Sequence, residues 1–114
     1  PILYGDRDPD IILVCWGSMY GIVKEVVDHF LKDLKVSMLH FKEVYPFPMD
    51  NSWTKVFLKN PYTITIEQNA TSQFSKLIAM ETDIKIHNHI NRFDGRPFTF
   101  DELKDKVYAL IKRL

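Results

Sequence analysis

The densest group of polar side chains in this sequence lies in residues 67–73, Glu-Gln-Asn-Ala-Thr-Ser-Gln. The group follows the alternating apolar run Tyr62–Ile66 and precedes a predicted amphipathic helix. A carboxylate and several amides at such a strand-to-helix junction can bind a ligand or a partner surface, because helix N-terminal amides converge there. The candidate residues of this segment are Glu67, Gln68, Asn69 and Gln73. The sequence also leaves open purely structural roles, in which Glu67 pairs with a local arginine or amide and Asn69 caps the helix.

Gly17 and Ser18 form a second candidate site, because they directly follow the continuous apolar run Ile11–Trp16. A hydroxyl beside the amides of a following helix can bind an anion. Gly17 and Gly21 lack the spacing of a dinucleotide-binding loop or a P-loop, and the second glycine of a hydrolase nucleophile elbow is missing. The alternative interpretation is that Ser18 serves as the N-cap of the helix.

A third group lies nearer the C-terminus, where Arg92 and Arg96 flank Asp94 and Gly95. Two guanidinium groups can bind a phosphate or a carboxylate through paired hydrogen bonds. The alternative is an internal ion pair with Asp94 or Asp101.

The histidines and the cysteine give no prediction of a metal site or a disulfide. His87 and His89 lie two apart in a predicted strand and share a face, but no third ligand is evident nearby. Cys15, the one cysteine, lies inside an apolar run. This position favours a buried, reduced thiol and a cytoplasmic protein.

Hydrophobic periodicity predicts the elements that position these residues. Predicted strands cover 11–16, 36–41, 62–66 and 84–90, with Ile2–Tyr4 as a short edge strand. Predicted helices begin near Met19, cover 50–59 and 71–81, and follow Thr99, which forms a capping box with Glu102. Strands that alternate with helices predict an α/β fold with a parallel, doubly wound sheet, so the candidate residues collect at the carboxyl ends of the strands.

Length and composition favour one compact domain, predicted over residues 10–114, with residues 1–9 as a linker or short edge strand. Of 114 residues, 46% are hydrophobic, and 15 Lys and Arg balance 15 Asp and Glu. This balance gives no bulk electrostatic reason to expect binding to nucleic acid or to an anionic membrane. No apolar run approaches the roughly 20 residues of a membrane span. The start at Pro1 leads us to expect a piece of a longer or processed polypeptide.

Four sequence blocks, in this order, resemble the C-terminal domain of the alpha subunit of 2-oxoacid:ferredoxin oxidoreductases. The blocks are Gly17-Ser18 after the first buried strand, residues 45–48 (Tyr-Pro-Phe-Pro), residues 67–73 and residues 93–99 (Phe-Asp-Gly-Arg-Pro-Phe-Thr). The resemblance extends from about Asp10 to the end of the chain. The family usually has glycine where this chain has Ser72, which suggests a slightly different helix start.

The resemblance implies a domain like the C-terminal domain of transketolase, with three α/β/α layers, four or five strands and an antiparallel edge strand at Ile2–Tyr4. The family's enzymes decarboxylate 2-oxoacids on thiamine diphosphate with magnesium. They form an acyl-CoA and pass electrons through iron–sulfur clusters to ferredoxin.

The family's diphosphate-binding motif, Gly-Asp-Gly followed by a distant Asn, has no counterpart in this sequence, and one cysteine cannot ligate a cluster. The resemblance therefore implies that this domain binds none of these cofactors and is not catalytic alone. It implies instead a domain that supports association with the rest of its subunit and with a beta subunit that carries the thiamine diphosphate motif, in an oligomeric enzyme.

The alternative is a freestanding flavodoxin-like module that binds a nucleotide or another anion at Gly17, Ser18 and Asn69. A response-regulator receiver is disfavoured, because it needs an acidic pair after the first buried strand, where this chain has Gly17 and Ser18.

Overall fold

The fold is a five-stranded sheet with helices, seen in a computed structural model that describes residues 1–42, 52–68, 84–92 and 96–114. The strands are β1 (Ile2–Gly5), β2 (Ile11–Trp16), β3 (Val36–Phe41), β4 (Tyr62–Glu67) and β5 (Asn88–Asn91). The α-helices are α1 (Tyr20–Phe30) and α2 (Phe100–Ile111), and two 3₁₀ helices cover Gly17–Met19 and Ser52–Phe57. Residues 45–48, the predicted helix over 71–81 and the candidates Asn69, Gln73, Asp94 and Gly95 lie outside the described residues.

The strand order β1-β3-β2-β4-β5 confirms the predicted α/β fold and its mostly parallel sheet. β3, β2, β4 and β5 run parallel, with Ile11 of β2 in register with Val36 on one side and Tyr62 on the other. β1 pairs antiparallel with β3, so the edge strand has the direction that the family resemblance implies. The central strand β2 is apolar throughout because side chains on both of its faces are covered.

Alternate residues of the strands enter two separate hydrophobic clusters. Leu13 and Cys15 of β2 face α1 and α2, where they meet Val23 and Leu103. Ile12 and Val14 face the opposite side, where Trp53 of the second 3₁₀ helix covers them. The sheet is therefore buried from both sides, as a doubly wound sheet requires. None of the helices in the described part of the chain is long and apolar enough to cross a membrane.

The start of α1 corrects one prediction. Met19, not Ser18, is the N-cap, and it makes no side-chain capping hydrogen bond. Ser18 lies inside the 3₁₀ helix Gly17–Met19. A side-chain cap requires an extended backbone at the capping residue, and the early helical winding here removes it.

The second helix and the last strand also differ from their predicted forms. The part of residues 50–59 that the structure describes is a 3₁₀ helix, Ser52–Phe57, and hydrogen bonds from Leu58 N to Lys55 O and from Asn60 N to Phe57 O continue its three-residue spacing. β5 begins at Asn88 instead of Ile84. The reason is His87, whose ring Nδ1 accepts the Thr63 N–H at 3.1 Å where a neighbouring strand would offer a carbonyl.

The capping box of α2 is confirmed. Thr99 is the N-cap, with an extended backbone, and its Oγ1 accepts the Glu102 N–H at 3.1 Å. Phe98, just before the cap, and Leu103 are both buried in the cluster beneath α1 and α2, as in a hydrophobic staple. Local sequence therefore determines where this helix begins.

Candidate functional site

A crevice of about 230 Å³ lies at the carboxyl ends of β2 and β4. Its lining residues are Trp16, Gly17, Ser18, Met19, Glu67 and Gln68. The chain passes from β2 to β3 on one side of this point and from β4 to β5 on the other, so the crevice lies where the winding of the sheet reverses direction. Open α/β sheets bind ligands at such switch points. The structure thus brings the Gly17-Ser18 and Glu67-Gln68 candidates together.

The turn at Gly17 is held by a buried histidine that the sequence analysis did not identify. Gly17 has a φ of +63°, so the chain leaves β2 through a left-handed conformation that favours glycine. His40 of β3 is buried, and its Nε2 lies 2.7 Å from the Gly17 carbonyl oxygen. A carbonyl only accepts, so the ring donates from Nε2. The only signal in the sequence is a histidine within an otherwise largely apolar strand.

Ser18 shows no sign of activation as a nucleophile. Its side chain is exposed, and it has no hydrogen bond to any residue that the structure describes. The nearby His40 ring is directed to the Gly17 carbonyl and packs edge-on against Tyr20, with ring centroids 5.0 Å apart. The geometry here therefore supports binding better than covalent catalysis.

Glu67 is the most deeply buried charged residue of the site. It ends β4, is 1% exposed, and pairs in register with Asn91 of β5. Its backbone carbonyl accepts the Arg92 N–H at 3.1 Å, which fixes the end of the strand. Gln68 follows in an exposed position, and its Nε2 donates to the Arg96 carbonyl at 3.5 Å. The crevice thus has a carboxylate in its wall and an amide at its mouth.

Arg92 takes part in an internal ion pair with Glu102, whereas Asp94, one of the two predicted partners, lies outside the described residues. The Arg92 Nη2 atom donates to Glu102 Oε2 of α2, whereas Asp101 pairs with Lys104 at 3.5 Å. The guanidinium also lies over the Phe98 ring, 5.1 Å from its centroid. The hydrogen bond from Arg92 lowers the pKa of Glu102 below its ordinary value. Arg92 therefore helps to hold α2 against β5.

The two histidines that could have bound a metal, His87 and His89, contact residues of the neighbouring strand instead. Thr63 N–H is bonded to His87 Nδ1, and Thr65 Oγ1 lies 2.7 Å from His89 Nδ1. No group of three or more metal-binding side chains occurs among the residues described. Cys15 is buried, and burial raises the pKa of its thiol.

The chain matches one protein family over most of its length. Residues 9–103 match pyruvate:ferredoxin oxidoreductase core domain II. Over 110 residues the chain is 30% identical to the alpha subunit of 2-oxoacid:ferredoxin oxidoreductase 1 of Sulfurisphaera tokodaii, a match that covers 96% of this chain and 17% of that protein. This chain therefore spans about a sixth of that relative.

Solved structures of 2-oxoacid:ferredoxin oxidoreductases are also similar to this chain. The 2-oxoglutarate:ferredoxin oxidoreductase from Magnetococcus marinus, solved with 2-oxoglutarate, coenzyme A and succinyl-CoA, is similar with a TM-score of 0.84 and 27% identity, covering 96% of this chain and 19% of that one. The alpha chain of a probable 2-oxoacid ferredoxin oxidoreductase from Thermoplasma acidophilum has a TM-score of 0.66 and 28% identity. The match covers 97% of this chain and 96% of that one. A transketolase from Pichia stipitis, at 13% identity and a TM-score of 0.66 over 96% of this chain and 18% of its own, shares the fold alone.

Proposed function

This chain belongs to the pyruvate:ferredoxin oxidoreductase core domain II family, and from that premise we propose that it is a non-catalytic, assembly-forming domain of a 2-oxoacid:ferredoxin oxidoreductase alpha subunit. The observation that carries the proposal is the match over residues 9–103, together with relatives of which this chain spans only 17%. The rest of such a subunit supplies the surfaces on which this domain acts.

In the parent enzyme that we propose, a 2-oxoacid is decarboxylated with thiamine diphosphate and magnesium. The acyl group passes to coenzyme A, and electrons pass through iron–sulfur clusters to ferredoxin. The residues of this chain do not fit an iron–sulfur cluster. Cluster ligation needs several exposed thiolates, and the one cysteine, Cys15, is buried in the apolar cluster on β2.

The cofactors therefore belong to other domains and to a beta subunit that carries the diphosphate motif. We place this enzyme in the cytoplasm, where a single buried thiol stays reduced.

The surface of the domain supports an assembly role. Leu58 is 83% exposed, and Ile2 and Tyr108 are also exposed. Tyr108 borders a groove of about 490 Å³ between the end of α1 and α2, which Phe30, Leu34 and Ile111 also line. An exposed aromatic side chain beside a partly apolar groove, as at Tyr108, is typical of surfaces that contact another protein or domain.

The test is removal of this domain from the full-length alpha subunit, followed by co-expression with the partner subunit. We expect the truncated subunit to lose co-purification with its partner and to reduce a viologen dye more slowly than the intact enzyme. The 114-residue chain, added back as a separate polypeptide, serves as the control and should restore part of the association. Wild-type association and a wild-type rate without the domain would refute the proposed role.

A further inference from the structure

The groove between the end of α1 and α2 has an aromatic centre. The rings of Phe30 and Tyr108 line it and stack on each other, with centroids 6.5 Å apart and an angle of 11° between their planes. Phe30 is buried, whereas Tyr108 is 50% exposed. Tyrosine presents a large apolar area with few rotatable bonds, so it is enriched where two protein surfaces meet. The groove therefore has the apolar centre that a protein interface needs.

Each of the two walls of the groove carries both signs of charge. The turn that follows α1 contributes Lys32 and Asp33, and α2 contributes Lys104 and Asp105. Lys104 pairs with Asp101 of its own helix at 3.5 Å. The exposed side chains of the other three make no hydrogen bond or ion pair with any residue in the described part of the chain. Charges of both signs at this groove are thus available to a partner.

This distribution of charge distinguishes between occupants. A partner surface of a single sign would be repelled by part of the rim, since like charges that face each other are unfavourable. A second copy of the same groove can meet each charge with its opposite if the two-fold axis runs along the groove. That axis places the turn of one copy against α2 of the other, so Lys32 of each copy faces Asp105 of the other. The symmetry forms the contact twice.

We propose that this groove is a two-fold interface between two copies of the domain. At its centre the two Tyr108 rings pack against each other, and at its rims two symmetry-related ion pairs form between Lys32 and Asp105. The inference deepens the proposed assembly role and rests on it, because it names one surface and one partner for that role. In the oligomeric enzyme that we propose, the interface joins two alpha subunits.

Sedimentation equilibrium of the 114-residue chain, at loading concentrations up to about 1 mM, tests the interface. We expect a monomer–dimer equilibrium, and Tyr108→Ser should raise the dimer dissociation constant about tenfold because the central aromatic contact is lost. Leu58→Ser is the matched control. Leu58 is 83% exposed but follows the 3₁₀ helix on the other face of the sheet, so this variant should change the constant by less than about twofold. A chain that is monomeric at the highest concentration, or equal effects of the two variants, would overturn the inference.

An exchange of charges tests the pairing across the interface and keeps the test decisive if Tyr108→Ser does not fold. Lys32→Asp and Asp105→Lys each place like charges opposite one another, so each should raise the dissociation constant about three- to tenfold at low salt. The two changes in one chain restore opposite charges and should return the constant to within about twofold of the wild type. Added salt should weaken the wild-type dimer and strengthen the dimers of the single variants. A double variant as weak as the two single effects combined would rule out this pairing.

The result is separable from the proposed assembly role, because the domain deletion measures association with the partner subunit. A monomeric chain, together with loss of co-purification after the deletion, would retain the assembly role and reject a second copy as the occupant of the groove. A dimeric chain, together with wild-type co-purification after the deletion, would retain the two-fold interface and reject the role in binding the partner subunit.

Discussion

Arg92 and Glu67 are both buried charged residues at the carboxyl edge of the sheet, and their surroundings differ. Arg92 is enclosed by its own chain, with Glu102 as its ion-pair partner and the Phe98 ring beneath its guanidinium. Glu67 lines a crevice that opens to solvent between Trp16 and Gln68. The Arg92 ion pair thus joins two elements of the fold, whereas Glu67 borders a crevice that is open to solvent.

The difference follows from local sequence. Glu102 lies three residues after the cap Thr99, so the first turn of α2 places its carboxylate next to the end of β5. At Glu67 the neighbouring strand continues into the Gly17 turn, whose left-handed glycine has no side chain to fill the space. The end of the sheet near Arg92 is thus built around a helix cap, and the end near Glu67 around a glycine turn.

The largest effect is expected from Arg92→Met, which tests whether the Arg92 ion pair stabilises the fold. The substitution keeps an apolar contact with Phe98 but removes the charge. We expect it to lower the free energy of unfolding by about 1–3 kcal/mol, because the ion pair between β5 and α2 is lost. Arg7→Met is the matched control at an exposed position and should change stability by less than about 0.5 kcal/mol. Urea denaturation measures both. Equal effects at the two positions would mean that the Arg92 pair does not hold α2.

A pair of glycine substitutions tests the glycine turn beside Glu67. Gly17→Ala should cost about 1 kcal/mol, because an L residue at a φ of +63° is strained although its Cβ meets nothing within 4 Å. Gly21→Ala, in α1 with equally open space, should instead stabilise the chain by about 0.5–1 kcal/mol. Thermal unfolding of the two variants shows whether each substitution raises or lowers the stability of the chain. Two effects of the same sign would contradict a conformational requirement at Gly17.

The smallest expected effect is on how the free energy of unfolding depends on pH. Arg92 lowers the pKa of folded Glu102 below the ordinary 4.5, so the stability from this pair is fully present above pH 4.5 and is lost as pH falls through the folded pKa. The difference in unfolding free energy between the wild type and Glu102→Gln should therefore shrink as the pH is lowered below 4.5. In an Arg92→Met background the same comparison should show a weaker pH dependence. A difference that stays constant with pH would exclude the ion pair as its source.

Much of the fold was predictable from local patterns. Strands 11–16 and 36–41 have their predicted bounds, because each is a mostly apolar run that ends directly before a glycine or a charged residue. The capping box fixed the start of α2 for the same reason. These elements depend on residues that are adjacent in sequence.

The predictions fail where a side chain that is distant in sequence determines a strand boundary or an ion-pair partner. The late start of β5 depends on the His87 ring, which accepts an N–H from Thr63, 24 residues away. His40 acquires its role from the Gly17 carbonyl, 23 residues away. Arg92 pairs with Glu102 instead of Asp101 because only the former lies on the side of α2 that faces β5. Periodicity and spacing contain no information on such contacts, so these partners could not be predicted from the sequence.

The burial of the single thiol has a consequence for how this domain responds to oxidants. Cys15 lies in the central strand, with β3 and β4 on either side and α1 above it. An oxidant can reach its sulfur only when the sheet opens, and burial keeps the thiol protonated and unreactive. Oxidation of Cys15 would therefore report how often the central sheet opens, so an intact thiol in an aged sample is a record of how rarely that opening has occurred.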